Sequence, residues 1–286
     1  MPQLERRELE DLARRALSED LGEAGDITTK RIVRIDQPGR AEIVAKAEGI
    51  LAGIPVAETV FHLVDKQLDI VWMASDGDRL EVGQAIAEIA GRARAILAGE
   101  RVALNFLQHL SGVATLTSKF ASICTQHGVR LLCTRKTIPG LRAVQRYAVS
   151  LGGGHLHRAG LYDAVLIKTN HERLSGGVSE AVRRAKANPN FEVEVEVETV
   201  EEIEEAIAAG ADRILLDNAD PATVKEAVQA TKGRIYLEVS GGMTLKNIAA
   251  VARAKPDAIS VGRITHSVEA VDMALRVLGP PSGAPR

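Results

Sequence analysis

Three cationic side chains close short apolar or glycine-rich runs within one stretch of the chain. Arg135 stands in Thr134-Arg135-Lys136-Thr137, Arg158 follows Gly152-Gly153-Gly154-His155-Leu156-His157, and Lys168 follows Asp163-Ala164-Val165-Leu166-Ile167. If those runs are strands, their ends aim all three side chains at one mouth. A guanidinium fork presents paired N–H donors that match a planar carboxylate or a phosphate, so the stretch predicts a pocket for an anion rather than a solvated basic loop.

Further along, the same kind of position carries Glu198, Asp217 with Asn218, Ser240-Gly241-Gly242 and Val261-Gly262-Arg263. The two glycine segments precede expected helices near Thr244 and Ser267, an arrangement in which backbone N–H groups hold a phosphate. Glu198 and Asp217 suit a divalent metal or sugar hydroxyls. Glu192, Glu194 and Glu196 alternate with valines and share the parity of Glu198, which leaves open the face that lines the interior. A phosphosugar site, a carboxylate pair and a cationic pocket for a second, anionic substrate together fit phosphoribosyl transfer.

The elements that must position these residues alternate strictly after residue 126. Strand-like runs at 131–134, 164–168, 192–197, 213–216, 235–239 and 258–261 are separated by helical patterns at 141–149, 178–187, 200–208, 221–230, 245–254 and 268–278. Such βα repetition without a switch in order predicts a parallel barrel, in which chemistry sits at the C-terminal ends of the strands. Before it, an amphipathic helix ending near Gly22, a cap-like Asp26-Ile27-Thr28-Thr29 segment and β-rich runs at 41–47, 70–73 and 85–90 surround a helical pattern at 54–64. A helical pattern over 94–126 follows, with a break expected at Ser111-Gly112. The predicted class is α/β: an N-terminal sandwich domain with its long linking helix over 1–112, an open parallel β/α barrel over 113–278, and a flexible tail over 279–286.

Composition excludes several functions. Aromatics are 3% of the 286 residues, too few for base-stacking recognition of single-stranded nucleic acid, and a net charge of -2 supplies no general field for polyanions. No apolar run reaches membrane-spanning length and the first twenty residues are charged throughout, so neither a bilayer partner nor a secretory signal is expected. Two cysteines, Cys124 and Cys133, are too few for a disulfide framework and point to a cytoplasmic protein.

Nearly end to end, the chain resembles the quinolinate phosphoribosyltransferase family. The motifs are Gly25-Asp26-Ile27-Thr28-Thr29, Glu100-Arg101-Val102-Ala103-Leu104-Asn105-Phe106-Leu107, Thr134-Arg135-Lys136-Thr137 with Pro139-Gly140-Leu141-Arg142, Gly152-Gly153-Gly154, His157-Arg158, Lys168, Asn170-His171, Leu216-Asp217-Asn218, Glu238-Val239-Ser240-Gly241-Gly242 and Thr265-His266-Ser267. The resemblance implies conversion of quinolinate and phosphoribosyl pyrophosphate, with Mg2+, to nicotinate mononucleotide, pyrophosphate and carbon dioxide. It also implies a homodimer or a multiple of it.

Carried over, the resemblance places the quinolinate carboxylates on Arg135, His157, Arg158 and Lys168, with Arg101 arriving from a neighbouring subunit and Thr134 among the substrate-binding residues. Lys136, Glu198 and Asp217 fall to the phosphoribosyl pyrophosphate and its metal, and Ser240, Gly241, Gly242, Val261, Gly262 and Arg263 to the 5-phosphate; Lys136, Lys168, Glu198 and Asp217 are the expected catalytic set. Two positions depart from the family pattern: His109 stands where an Arg is expected, and Arg263 where a small residue usually follows the Val-Gly of the last strand.

Other activities share part of this inventory. A lysine ending an apolar barrel strand, as Lys168 does, also serves as the Schiff base of barrel aldolases, although that role does not require the Arg135 and Arg158 forks. A paralogous phosphoribosyltransferase acting on another aromatic acid, and a non-catalytic relative that kept the fold, are the remaining alternatives.

Overall fold

The computed structural model describes residues 4–279, so the expected tail lies, beyond Gly279, outside the described residues. Its elements in chain order are α1 (Arg6–Leu21), α2 (Ile27–Ile32), β1 (Pro38–Ala45), β2 (Gly49–Ile50), α3 (Ile54–Val64), β3 (Asp69–Trp72), β4 (Arg79–Leu80), β5 (Ala85–Arg92) and α4 (Ala93–Gln126). There follow β6 (Arg130–Leu132), α5 (Arg142–Leu151), β7 (Val165–Ile167), α6 (Thr169–Ser175), α7 (Val178–Lys186), β8 (Val193–Val197), α8 (Val200–Ala209) and β9 (Arg213–Asp217). The last are α9 (Pro221–Thr231), β10 (Tyr236–Ser240), α10 (Ile248–Ala252), β11 (Ala258–Ser260), α11 (Arg263–His266) and β12 (Met273–Gly279).

Packing divides the chain into two compact units. One comprises Met1–Leu116, Ile138–Gly152 and Val268–Arg286, and the other Thr117–Thr137 and Gly153–Ser267. In this packing α5 and the C-terminal strand cluster with the first unit. Within that unit, the Tyr147 hydroxyl donates to Asp76 (2.9 Å) and the Gln145 amide nitrogen stands 2.9 Å from His109 Nε2, which fastens α5 to the β3–β4 connection and to α4.

The first unit is built on an antiparallel sheet of order β12-β1-β5-β3. Ala41 and Ile43 of β1 are fully buried, as are Ile86 and Ile89 of β5. The stripe Leu9, Leu12, Ala13 and Leu17 buries one face of α1, which packs on α3. Each large side chain so buried contributes about 1.5–3 kcal/mol of transfer free energy. Asp26 caps α2 by accepting from the Thr29 amide at 2.8 Å.

Two expectations fail in this unit. Residues 268–278 do not form a helix, because β1 offers an open edge that the chain fills with β12, pairing Ala41 with Val277, Ile43 with Leu275 and Ala45 with Met273. A ladder with a partner strand outweighs a local helical spacing. Nor does α4 break at Ser111-Gly112. A Cβ on Gly112 would lie 2.2 Å from the Glu269 carbonyl oxygen, so glycine is there to let two backbones meet, and Ser111 Oγ accepts from the Ala52 amide at 3.0 Å.

In the second unit six strands form one parallel sheet of order β6-β11-β10-β9-β8-β7. Each of β7 to β11 pairs with its neighbour in sequence, β11 returns to β6, and β6 and β7 do not pair. At that seam Leu132 meets only His155, in an isolated bridge. This is the open barrel expected from the repetition. Val193, Val195 and Val197 are buried on the parity opposite the glutamates, and Ile214, Leu216, Leu237, Val239 and Ile259 continue that apolar set in the neighbouring strands.

Candidate active site

The parity left open by the valine–glutamate alternation is resolved by the partners of the carboxylates. Glu194 meets His157, and Glu196 meets Lys168, so the glutamate face of β8 is the interior one. Register then stacks the interior in layers: Glu194 lies beside Arg213 and Leu166, Glu196 beside Leu215, and Asp217 beside Ser240.

A cavity of about 400 Å3 opens at the C-terminal ends of these strands. Thr134, Arg135, Lys136, His157, Arg158, Lys168, Asp217 and Ser240 line it, as their spacing predicts. Glu196, Glu238, Ser260, Leu166 and Leu215 line it as well. Seven expected site residues do not: Gly241, Gly242, Gly262, Glu198, Arg263, Val261 and Arg101. Glu198 is exposed one residue beyond β8, its amide donating to Glu202 (2.7 Å); Arg263 is exposed on α11; the Val261 amide is spent on Leu132 O (3.0 Å); and Arg101 is an exposed residue of α4 in the first unit.

Burial and then the nearby Arg135 charge push the Arg158 pKa down from the ordinary guanidinium value, while the Glu194 and Asp163 charges oppose them. Arg158 Nη1 donates to Ala164 O at 3.3 Å. The Lys168 ammonium donates to Glu196, whose other oxygen accepts from Thr169 Oγ1 at 3.1 Å. That ion pair engages the Lys168 ammonium, whereas a Schiff-base nucleophile needs a free, neutral amine.

Opposite these cations, Asp217 has its pKa raised by burial and then by the Glu196 charge, with Lys168 and Lys136 opposing. Two neighbouring carboxylates that repel one another are a donor set that a divalent cation relieves, and Mg2+ is ordinarily held by one or two carboxylates plus substrate phosphates. Asp217 and Glu196 therefore fit such an ion. Among the described residues, the one group of three or more His, Asp, Glu or Cys side chains with ligand atoms close enough to share a metal is His157, Glu194 and Glu238. Arg213 already stands 3.9 Å from each of those two carboxylates, so this is an ion-paired core.

The glycine segments interlock beside the carboxylates. Asn218 is left-handed (φ 54) and its amide donates to Ser240 O at 3.0 Å. A Cβ on Gly241, itself at φ +94, would lie 2.2 Å from Asn218 Oδ1. Thr265 Oγ1 donates to Lys136 O (2.7 Å), which joins α11 to the loop that carries Thr134, Arg135 and Lys136. Loops with turned-up backbone amides beside a lysine are suited to a phosphate.

Glu196 was legible only as one of a series with uncertain facing. Glu194, Glu238 and Ser260 lie within strands, below the ends where strand-end reasoning looks.

Comparison with known proteins places this architecture. Residues 26–111 match the family model of the quinolinate phosphoribosyl transferase N-terminal domain, and residues 113–276 that of the C-terminal domain. The chain is 43% identical over 272 residues to a probable carboxylating nicotinate-nucleotide pyrophosphorylase of Bacillus subtilis, covering 94% of this chain and 93% of that one. A decarboxylating quinolinate phosphoribosyltransferase of Nicotiana tabacum is 39% identical over 290 residues, covering 94% and 82%. The nicotinate-nucleotide pyrophosphorylase structure from Francisella tularensis superposes with a TM-score of 0.92 at 42% identity, over 96% of this chain and 98% of that one.

Proposed function

Because the chain belongs to the quinolinate phosphoribosyl transferase family, we propose that the barrel cavity seats quinolinate on its cationic side and phosphoribosyl pyrophosphate across the mouth. The reaction is that of a phosphoribosyltransferase of NAD biosynthesis, in which quinolinate and phosphoribosyl pyrophosphate give nicotinate mononucleotide, pyrophosphate and carbon dioxide. The observation that carries the site assignment is the facing of Arg135 and Arg158 in one cavity, opposed by Asp217 and Glu196.

In this reading Arg135, Arg158, His157 and Thr134 hold the two carboxylates of quinolinate and turn its ring nitrogen toward the ribose. Lys136 and Lys168 face the pyrophosphate and favour its departure. Positive charge that develops on the ribose ring as pyrophosphate leaves is stabilised by Asp217 and Glu196, fixed negative groups in a partly dry cavity. After the nitrogen–carbon bond forms, the carbon–carboxylate bond breaks to release carbon dioxide, its electron pair stays on the ring carbon stabilised by the adjacent positive pyridinium nitrogen, and a proton from water then takes up that pair. The amides of Gly241, Gly242 and Gly262 are assigned to the 5-phosphate. Asp217 and Glu196, with exposed Glu198 beyond them, would hold Mg2+, which supplies neutralisation of pyrophosphate charge when bound.

We further assign a homodimer to the protein, with Arg101 serving the partner's cavity, since Arg101 is an exposed cation within the Glu100-Arg101-Val102-Ala103-Leu104-Asn105 motif of α4. Among the described residues no helix is long and apolar enough to cross a membrane, and the buried thiols Cys124 and Cys133 support a cytoplasmic setting.

The test is release of pyrophosphate from phosphoribosyl pyrophosphate with quinolinate against nicotinate as acceptor. Quinolinate should be used and nicotinate should not; equal turnover of nicotinate would overturn a pocket built for two carboxylates.

A further inference from the structure

At the inner wall of the cavity and just below it the barrel buries a cluster of charges. Glu194 and Glu238 are 4% and 0% exposed, and His157 Nε2 stands 3.0 Å from the first and 3.3 Å from the second. Arg213 approaches both at 3.9 Å while its guanidinium lies 4.0 Å over the Tyr236 ring. Burying a carboxylate costs several kcal/mol, and an apolar layer at these positions would avoid that cost. Counting charge, two carboxylates are balanced by Arg213 and by His157 only if His157 is an imidazolium.

The ring's two nitrogens meet opposing demands. Nδ1 is 2.7 Å from the Arg158 amide, from which a neutral ring accepts a hydrogen bond. Burial also favours the neutral ring, but the hydrogen bonds and charges of Glu194 and Glu238 outweigh it and raise the His157 pKa to about 9. Two full charges at hydrogen-bond distance in a dry interior exceed the pull of one amide dipole. The remaining charged neighbours are Arg213 from β9 and, on the ring's own loop, Arg158 with Arg135 behind it.

We propose that Glu238, together with Glu194, is a positioning residue for the acid substrate, acting from behind through His157 to hold that ring as a cation against a quinolinate carboxylate. A carboxylate oxygen seated at the ring accepts from both Nδ1–H and the Arg158 amide, and so relieves the meeting of two donors. Glu194 is outside the cavity lining, and Glu238, on that lining but fully buried, is engaged with His157 rather than assigned to the substrate. This inference rests on the assignment of His157 to the quinolinate site.

The experiment measures KM for each substrate and kcat between pH 6 and pH 8.5 in the wild type, Glu238→Gln, Glu194→Gln, His157→Gln and the His157→Gln/Glu238→Gln pair. In the wild type, KM for quinolinate stays flat over this range. In Glu238→Gln it matches wild type near pH 6 and rises about tenfold by pH 8.5, as the ring loses the partner that kept it charged, with KM for phosphoribosyl pyrophosphate unchanged. The double variant binds quinolinate no worse than His157→Gln alone.

A Glu238→Gln effect that is equal at both pH values, or no effect beside a clear His157→Gln effect, overturns the positioning role. Unchanged quinolinate KM in His157→Gln instead overturns the site assignment beneath it. Should Glu238→Gln fail to fold, Glu194→Gln takes its place in the same comparison. Independently of activity, the ring 15N shifts of His157 in the wild type at pH 8 should be those of an imidazolium, and those of a neutral ring overturn the proposal.

Discussion

The Lys168 ammonium donates to Glu196, and not to Glu198, across the neighbouring strands β7 and β8. Glu196 is buried on the cavity wall, while Glu198 stands in solvent past the strand end. Glu196→Gln should therefore lower kcat/KM about 100-fold, and Glu198→Gln about tenfold or less, because only the first removes a fixed charge from the reacting centre. Steady-state kinetics on the two variants decide between the carboxylates, and equal losses would return Glu198 to the centre.

Asp217 should trade stability for function. Its folded pKa is raised by burial and by Glu196, so the fold prefers the protonated acid. The stability linked to that preference is present below the ordinary carboxylate pKa and is lost as pH rises through the folded value. At pH 7 the fold thus carries an unfavourable anion. Asp217→Asn should raise the thermal midpoint at pH 7, leave it unchanged at pH 3, and lose most activity; a lowered midpoint at pH 7 would contradict the sign.

Gly112→Ala probes the close approach of α4 to the segment before β12 in the first unit. With the Glu269 carbonyl oxygen 2.2 Å from the added Cβ, backbone must shift, at a cost of about 1–3 kcal/mol. Denaturant unfolding of the variant should show that loss with the slope unchanged.

Shared sites can be tested by mixing. Arg101→Ala and Arg158→Ala homodimers should each be nearly inactive. In a mixed two-fold dimer one cavity inherits both defects and the other neither, so random re-association of equal amounts restores about a quarter of wild-type activity. The measurement is quinolinate turnover after co-refolding. Mixed dimers proven by mass spectrometry yet without recovery would place Arg101 outside the partner's site.

The barrel was legible because its strands are buried on both faces and read as short apolar runs between amphipathic helices. Arg135, Lys136, His157, Arg158, Lys168 and Asp217 were legible because strand ends in such a fold point to one mouth, and the cavity indeed gathers them. Glu196 is legible only as one of a series that shares its parity with Glu198, since a period of two does not say which side is interior; the partners Lys168 and His157 supply that. The error at 268–278 has another origin. Helical spacing is a local property, whereas the need of β1 for a partner is set more than two hundred residues away in sequence. Arg263 and Val261 were counted by adjacency to Gly262, but one side chain points to solvent and the other residue's amide belongs to the ladder with β6.

The pairing of β12 with β1 also orders events at the ribosome. β1 emerges early, yet the strand that covers its edge is made only after every barrel strand has been made. Throughout synthesis that edge displays unpaired N–H and C=O groups, a template for another nascent chain. The amino-terminal sheet is therefore the part of this protein most exposed to misassembly during translation, and it closes last although it is begun first.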